Sequence, residues 1–303
     1  MTRRVSDPAA ATRSGRRVLA VVRMGSPFGP SVVDRARSVA RAHRATLTVL
    51  CIVARPTRGR AGSAHARRIA RRERLARAVE RFERWQGEGE GTSRAMGLRI
   101  EEGDELEVVD RVARKLQPSI VVVAAAGVPS RWLSLVRDHG FPVLVTRVRR
   151  GGAEILAATD LLDVRHPTLL HALRLASSAG HHVTLLHVLG SEAGAARPAL
   201  QRSLDELCLA FPVAADGVLV DATDPADAVV ETARARDTDL IVVGVHASVA
   251  VSREAHQTAA RIVRRSGSSV LLVPLPPRWW VDRSSSSSRP VPSAVAHLRR
   301  SSR

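Results

Sequence analysis

Aromatic side chains are scarce in this 303-residue chain: four Phe, four Trp and no Tyr. A nucleic-acid platform built on stacked aromatic rings therefore has little to work with. There are only two cysteines, Cys51 in an apolar run and Cys208 in a helical one. Neither has metal-ligand spacing, so both read as buried free thiols in a reducing cytoplasm. The apolar runs have the length of strands, well short of the roughly 20 residues needed to cross a bilayer. At the N-terminus VLAVV is cut by Arg23, which leaves no signal-peptide core, and Arg3-Arg4 lacks the apolar stretch of an export signal. The reading is a cytoplasmic protein without membrane contact. Lysine is almost absent as well: of 47 basic residues only Lys115 is a lysine, a bias that GC-rich coding explains. The net charge of +18 still favours contact with nucleic acid, anionic lipid or an acidic protein.

What the chain does contain is a repeat. RRVLAVVR (16–23) matches AEILAATD (153–160), and ATLTVLCIV (45–53) matches HHVTLLHVL (181–189). LEVVDRVAR (106–114) matches DAVVETARA (227–235), PSIVVVAAAG (118–127) matches TDLIVVGVHA (238–247), and FPVLVTRV (141–148) matches SSVLLVPL (268–275). The order is kept at offsets of 120–137 residues, as a tandem duplication requires. The apolar runs are rich in Val, Ile and Leu without alternation, the pattern of parallel strands buried on both faces. Helical patterns separate them at 31–43, 167–180 and 224–237. The second opens on Pro167 and closes at Gly180, and the third has Asp224 as N-cap before Pro225. Alternating β and α elements give an α/β fold of two tandem doubly wound, Rossmann-like parallel-sheet domains, 17–150 and 151–276. Residues 1–16 form a disordered N-terminus, and 277–303 a disordered tail rich in Ser and Arg. Trp279-Trp280 cap the final strand.

The second half resembles the universal stress protein family. The resemblance rests on ILAATD, LLHV, DLIVVGVH and the stretch GVHASVAVSREAHQT (244–258). It implies a small doubly wound domain whose members commonly bind ATP through G-x2-G-x9-G-S/T after the fourth strand. Carried onto this chain, it puts Asp160 at the end of the first strand facing the nucleotide, on a ribose or a magnesium-bound phosphate. Val188 becomes an apolar contact to adenine. Gly244, His246 and Thr258 fall on the loop, where Ala247 and Gln257 replace two glycines. Glycines serve such loops by reaching left-handed φ and by letting phosphate approach backbone N–H groups. Ser252 is an N-cap candidate, so the following helix starts early and closes over the phosphate position. The first half has lost more: Arg23 stands for Asp160, Ala124 for Gly244, and 19 residues rather than 26 separate this position from the last strand. The loop is degenerate. Only domain 2 could hold ATP with magnesium, and weakly.

The resemblance also implies pairing through the last strands, which a tandem chain can satisfy internally as a pseudo-dimer. A protein partner fits this regulatory class. His181, His182 and His187 do not read as metal ligands, and Asp163 reads as a helix cap near His166. No G-x-S-x-G elbow, Cys-His pair or P-loop lysine supports nucleophilic catalysis. Residues 64–86 read as a basic amphipathic helix with Ile69, Leu75, Val79 and Phe82 on its core face and Arg67, Arg68, Arg71, Arg74 and Arg81 largely outside it. Interleaved Glu73, Glu80 and Glu83 make this a solvated face, with nucleic-acid contact weak and unspecific. The expectation is a non-enzymatic stress-response regulator. The alternatives are a weak ATPase or ATP-dependent signalling switch, and a basic nucleic-acid-associated stress protein.

Overall fold

The computed structural model describes residues 15–54, 64–87, 96–125, 129–148, 152–161, 167–190, 197–246 and 253–275. Residues 1–14 and 276–303, with Trp279-Trp280, lie outside them, as do Asp163, His166 and Ala247. The chain divides into two compact units at Ala124/Ala125.

The first unit contains β1 (Arg17–Arg23), α1 (Gly29–Ala42), β2 (Thr46–Val53), α2 (Ala64–Gly87), β3 (Met96–Glu102), α3 (Glu105–Leu116) and β4 (Ile120–Ala124). Its strands are parallel, in the order β3-β2-β1-β4. Val18–Val22 of β1 and Ile120–Val123 of β4 are buried throughout, which is why these runs show no polar alternation. Asp104 caps α3 by accepting from the backbone N–H groups of Leu106 and Glu107.

α2 is rotated from the face its sequence suggests. Ala78, Phe82 and Trp85 are buried, whereas Ile69 is 47% exposed. Arg74 and Arg81 are half-buried rather than outside, and Arg37 of α1 donates to the Trp85 carbonyl. A long arginine stem can lie along apolar surface with its guanidinium in water, so an arginine need not mark the solvent face.

The second unit comprises α4 (Pro129–His139), β5 (Val143–Thr146), β6 (Glu154–Ala158), α5 (Pro167–Ala179), β7 (His182–Leu189), α6 (Arg197–Leu209), β8 (Ala215–Asp221), α7 (Pro225–Ala235), β9 (Leu240–His246), α8 (Arg253–Arg265) and β10 (Ser269–Leu275). Its order is β5-β10-β9-β6-β7-β8. All pairs are parallel except β5 with β10, where Val143, Leu144 and Val145 oppose Leu272, Leu271 and Val270. The last strands of the two repeats are thus hydrogen-bonded to each other, and α4 packs on α8, β9 and β10. α5 opens on Pro167 and ends before Gly180, whose φ of +67° is the left-handed stop that glycine adopts without cost. Asp224 caps α7 through the N–H groups of Ala226 and Asp227.

The repeat holds down to register. Arg17 opposes Thr46 in the first unit, and the matching Glu154 opposes His182 in the second. Val18 opposes Ile120, and the matching Ile155 opposes Leu240. An unchanged register keeps the same positions on the same sheet face, so functional side chains of the two halves can be compared one for one.

Candidate functional site

In a doubly wound sheet the ligand crevice lies beyond the carboxyl ends of the strands where the strand order reverses. In the second unit that point is β6, whose neighbours β7 and β9 are reached by connections running in opposite directions. The chain leaves β6 as Thr159-Asp160, and β9 ends on His246. The two meet: His246 Nε2 lies 3.7 Å from Asp160 Oδ2. The His246 side chain is only 13% exposed, and its Nδ1 is buried with no hydrogen-bond partner among the described residues.

The backbone presenting Asp160 is pinned from both sides. Thr159 N–H donates to the Leu186 carbonyl at 3.0 Å, and His187 Nδ1 lies 2.8 Å from the Thr159 carbonyl. Leu161 N–H closes a turn onto Thr159 Oγ1 at 3.1 Å, with Leu161 in the left-handed region at φ 57°. His187 thus holds the strand end from which Asp160 projects, a role that its position in LLHV did not reveal. Val188 follows it, half-buried near the carboxyl end of β7.

The loop residues are placed differently from one another. Gly244 sits inside β9, opposite Val273 of β10, and a Cβ there would collide with the side chain of Leu275. Its lack of a side chain serves packing within the sheet. Gln257 and Thr258 lie in the second turn of α8, which begins at Arg253. Only the first four N–H groups of a helix are free of intrahelical bonds, so those of Gln257 and Thr258 are committed to the helix itself. Gln257 is exposed and Thr258 half-buried. Ser252, the N-cap candidate, and Ala247 lie outside the described residues.

The corresponding edge of the first unit carries other chemistry. Arg23 ends β1, exposed, where Asp160 follows β6, and Ala124 ends β4.

A second cluster lies at the opposite, amino-terminal edge of the second sheet. His182 Nδ1 is 3.1 Å from Glu154 Oε2, and its Nε2 is 3.7 Å from Asp216 Oδ1. Thr184 hydroxyl contacts both carboxylates, at 2.9 Å from Asp216 Oδ1. Arg236, just after α7, donates to Asp216 Oδ2 at 2.7 Å and stands 3.5 Å from Glu154 Oε1. Glu154, His182 and Asp216 offer ligand atoms within 4.8 Å of one another. The two ring nitrogens face different carboxylates, however, and Arg236 already supplies a cation to both. The carboxylates and the arginine around His182 come from β6, β8 and the end of α7, so no local pattern near the histidine announces them.

The universal stress protein family model matches residues 153–274. These residues belong to the universal stress protein family. The likeness in fold extends beyond this universal stress domain. A universal stress protein from Archaeoglobus fulgidus DSM 4304 superposes with a TM-score of 0.65 at 14% identity, covering 86% of this chain and 99% of the other. A functionally unknown protein from Pseudomonas aeruginosa PAO1 superposes with a TM-score of 0.58 at 19% identity, covering 95% and 98%. At such identities the likeness concerns fold alone. No curated protein matches the chain.

Proposed function

We propose that this stress-response chain is a non-enzymatic regulator acting in the cytoplasm. In this reading only the β6–β9 crevice of the universal stress domain can receive an adenine nucleotide, and ATP with magnesium binds there weakly or not at all. The observation that carries this is the start of α8 at Arg253, which puts Gln257 and Thr258 in its second turn. Backbone N–H groups that bond within a helix cannot also cradle a phosphate. Each lost contact costs roughly 1 kcal/mol, so losing two weakens binding by about ten- to a hundredfold. Asp160, Val188 and His246 remain as the nucleoside side of the crevice. The first unit, with Arg23 and Ala124 at the matching positions, serves as scaffold. The pairing of β5 with β10 supports an intramolecular pseudo-dimer of the two repeats, with a protein as the regulatory partner. Calorimetry of the full chain with ATP and magnesium tests the central claim: a dissociation constant in the low micromolar range overturns it.

A further inference from the structure

The Glu154–His182–Asp216 cluster lies outside the crevice and answers a different question. His182 opens β7, with Glu154 of β6 opposite it on one side and Asp216 of β8 near it on the other. The side chain is 36% exposed, so a proton reaches it without unfolding. A neutral imidazole can donate from one ring nitrogen only, and the other then turns a lone pair toward a carboxylate oxygen. A protonated ring donates from both. The surrounding charges agree. With His182 neutral, Glu154 and Asp216 face the single cation of Arg236; with His182 protonated, two cations balance two anions. The single hydroxyl proton of Thr184 goes to one of the two carboxylates in either state. Behind Asp216 stand Asp205 and Cys208 of α6. His181 precedes the ring in the chain, and Asp237 and Asp239 follow Arg236.

We propose that His182 is a proton-operated clamp on the edge of the second sheet: protonated, it bridges Glu154 and Asp216 and ties β8 to β6 across β7. β8 ends the strand order of its unit and pairs with β7, so it is the strand such a bridge can steady. The repeat supplies an internal control. At the matching register the first unit carries Arg17, Thr46, Thr48 and Gly97 in place of Glu154, His182, Thr184 and Asp216, and no such bridge can form. The sign follows from the geometry: the protonated ring donates to both carboxylates and the neutral ring to one, so β8 opens less with His182 protonated than with it neutral.

Native-state amide exchange of the full chain, corrected for intrinsic rates, tests this at pH 5.5 and pH 8. The β8 amides are expected to open about two- to fivefold less often at pH 5.5, the scale of a part-exposed ion pair. In His182→Gln, whose amide keeps the same charge at both pH values, that difference disappears, while the β3 amides behave alike in both proteins. A pH dependence of β8 that survives in His182→Gln, or none in the wild-type protein, overturns the clamp. Should the variant fail to fold, imidazole 15N spectra of the wild-type protein decide: both ring nitrogens of His182 protonated at pH 5.5 and one at pH 8 is the expected result, and a ring neutral at both refutes it.

Discussion

Asp160 and His246 lie 3.7 Å apart at the one place in the second sheet where the strand order reverses. One projects from the end of β6 and the other closes β9, so the fold itself brings them together from 86 residues apart in sequence. A ligand seated in this crevice is expected to meet both. Residual ATP binding should therefore depend on Asp160. Asp160→Ala is expected to abolish whatever binding calorimetry detects, while Arg23→Ala in the first unit leaves it unchanged. Equal loss in both variants would move the site away from this crevice.

Gly244 makes a separate, structural prediction. Because Leu275 occupies the space a Cβ would need, Gly244→Ala overpacks the β9–β10 pair. Overpacking of this kind costs about 1–3 kcal/mol. Urea denaturation measures it, and Leu275→Ala in the same chain should recover a large part of the loss, since residues in contact are not additive. An unaltered midpoint in Gly244→Ala would show that Leu275 moves aside freely.

The repeat and the strands buried on both faces were legible in the sequence as unbroken runs of Val, Ile and Leu, whereas the half-buried β3 and β8 at the ends of the strand order carry no such run and were not. Caps were legible too: Asp224 before Pro225 needs only local geometry. What stayed hidden depends on residues distant in sequence. Thr184, Glu154, Asp216 and Arg236 come from separate elements, and nothing local to any of them announces a network. The rotation of α2 was hidden for another reason. Arg74 and Arg81 are half-buried, as their long apolar stems allow, while Ile69 is exposed. Within the crevice, the family resemblance pointed to Asp160 and His246, but not to the role of His187 in fixing the Thr159 carbonyl.

The thiols give a prediction with a definite sign. Burial pushes the Cys51 thiol from the ordinary 9.0 up to about 12, slightly opposed by the charge of Arg81. Burial, with Asp216 and Asp205 adding to it, pushes Cys208 up to about 11. The folded chain therefore keeps both protonated where the unfolded chain ionises, and this contribution to stability is lost as pH rises above about 9. Native protein at pH 8 is expected to react slowly with iodoacetamide, Cys208 before the fully buried Cys51. Denaturant should expose both to ordinary rates. Rapid stoichiometric labelling of native Cys51 would contradict its placement.

Charge makes a prediction about nucleic acid. Many arginines are already engaged: Arg71 with Glu102, Arg77 with Glu73, and Arg261 with Asp224 and Asp227. The remaining positive charge should give weak, sequence-independent binding, with log K falling by about 0.9 for each phosphate contact per tenfold rise in salt. Filter binding across a salt series reads the slope. Tight, sequence-selective binding at physiological salt would refute this and restore a nucleic-acid role.

The pairing of β5 with β10 sets the last expectation. β10 is bonded to β9 on one side and, through Val270, Leu271 and Leu272, to β5 on the other. Expressing residues 151–276 alone removes β5 and α4 together. The first loss opens a row of unpaired backbone groups on an apolar strand, and the second uncovers apolar surface of α8, β9 and β10. Within the full chain the missing strand is tethered and thus at high effective concentration. A second copy can replace it, because β10 pairs antiparallel with β5 and two β10 strands can meet in the same sense. The fragment is therefore expected to form a homodimer at micromolar concentration, and the full chain to associate less under the same conditions. Sedimentation decides: a stable, folded, monomeric fragment would show that the β5–β10 contact does not substitute for pairing between copies.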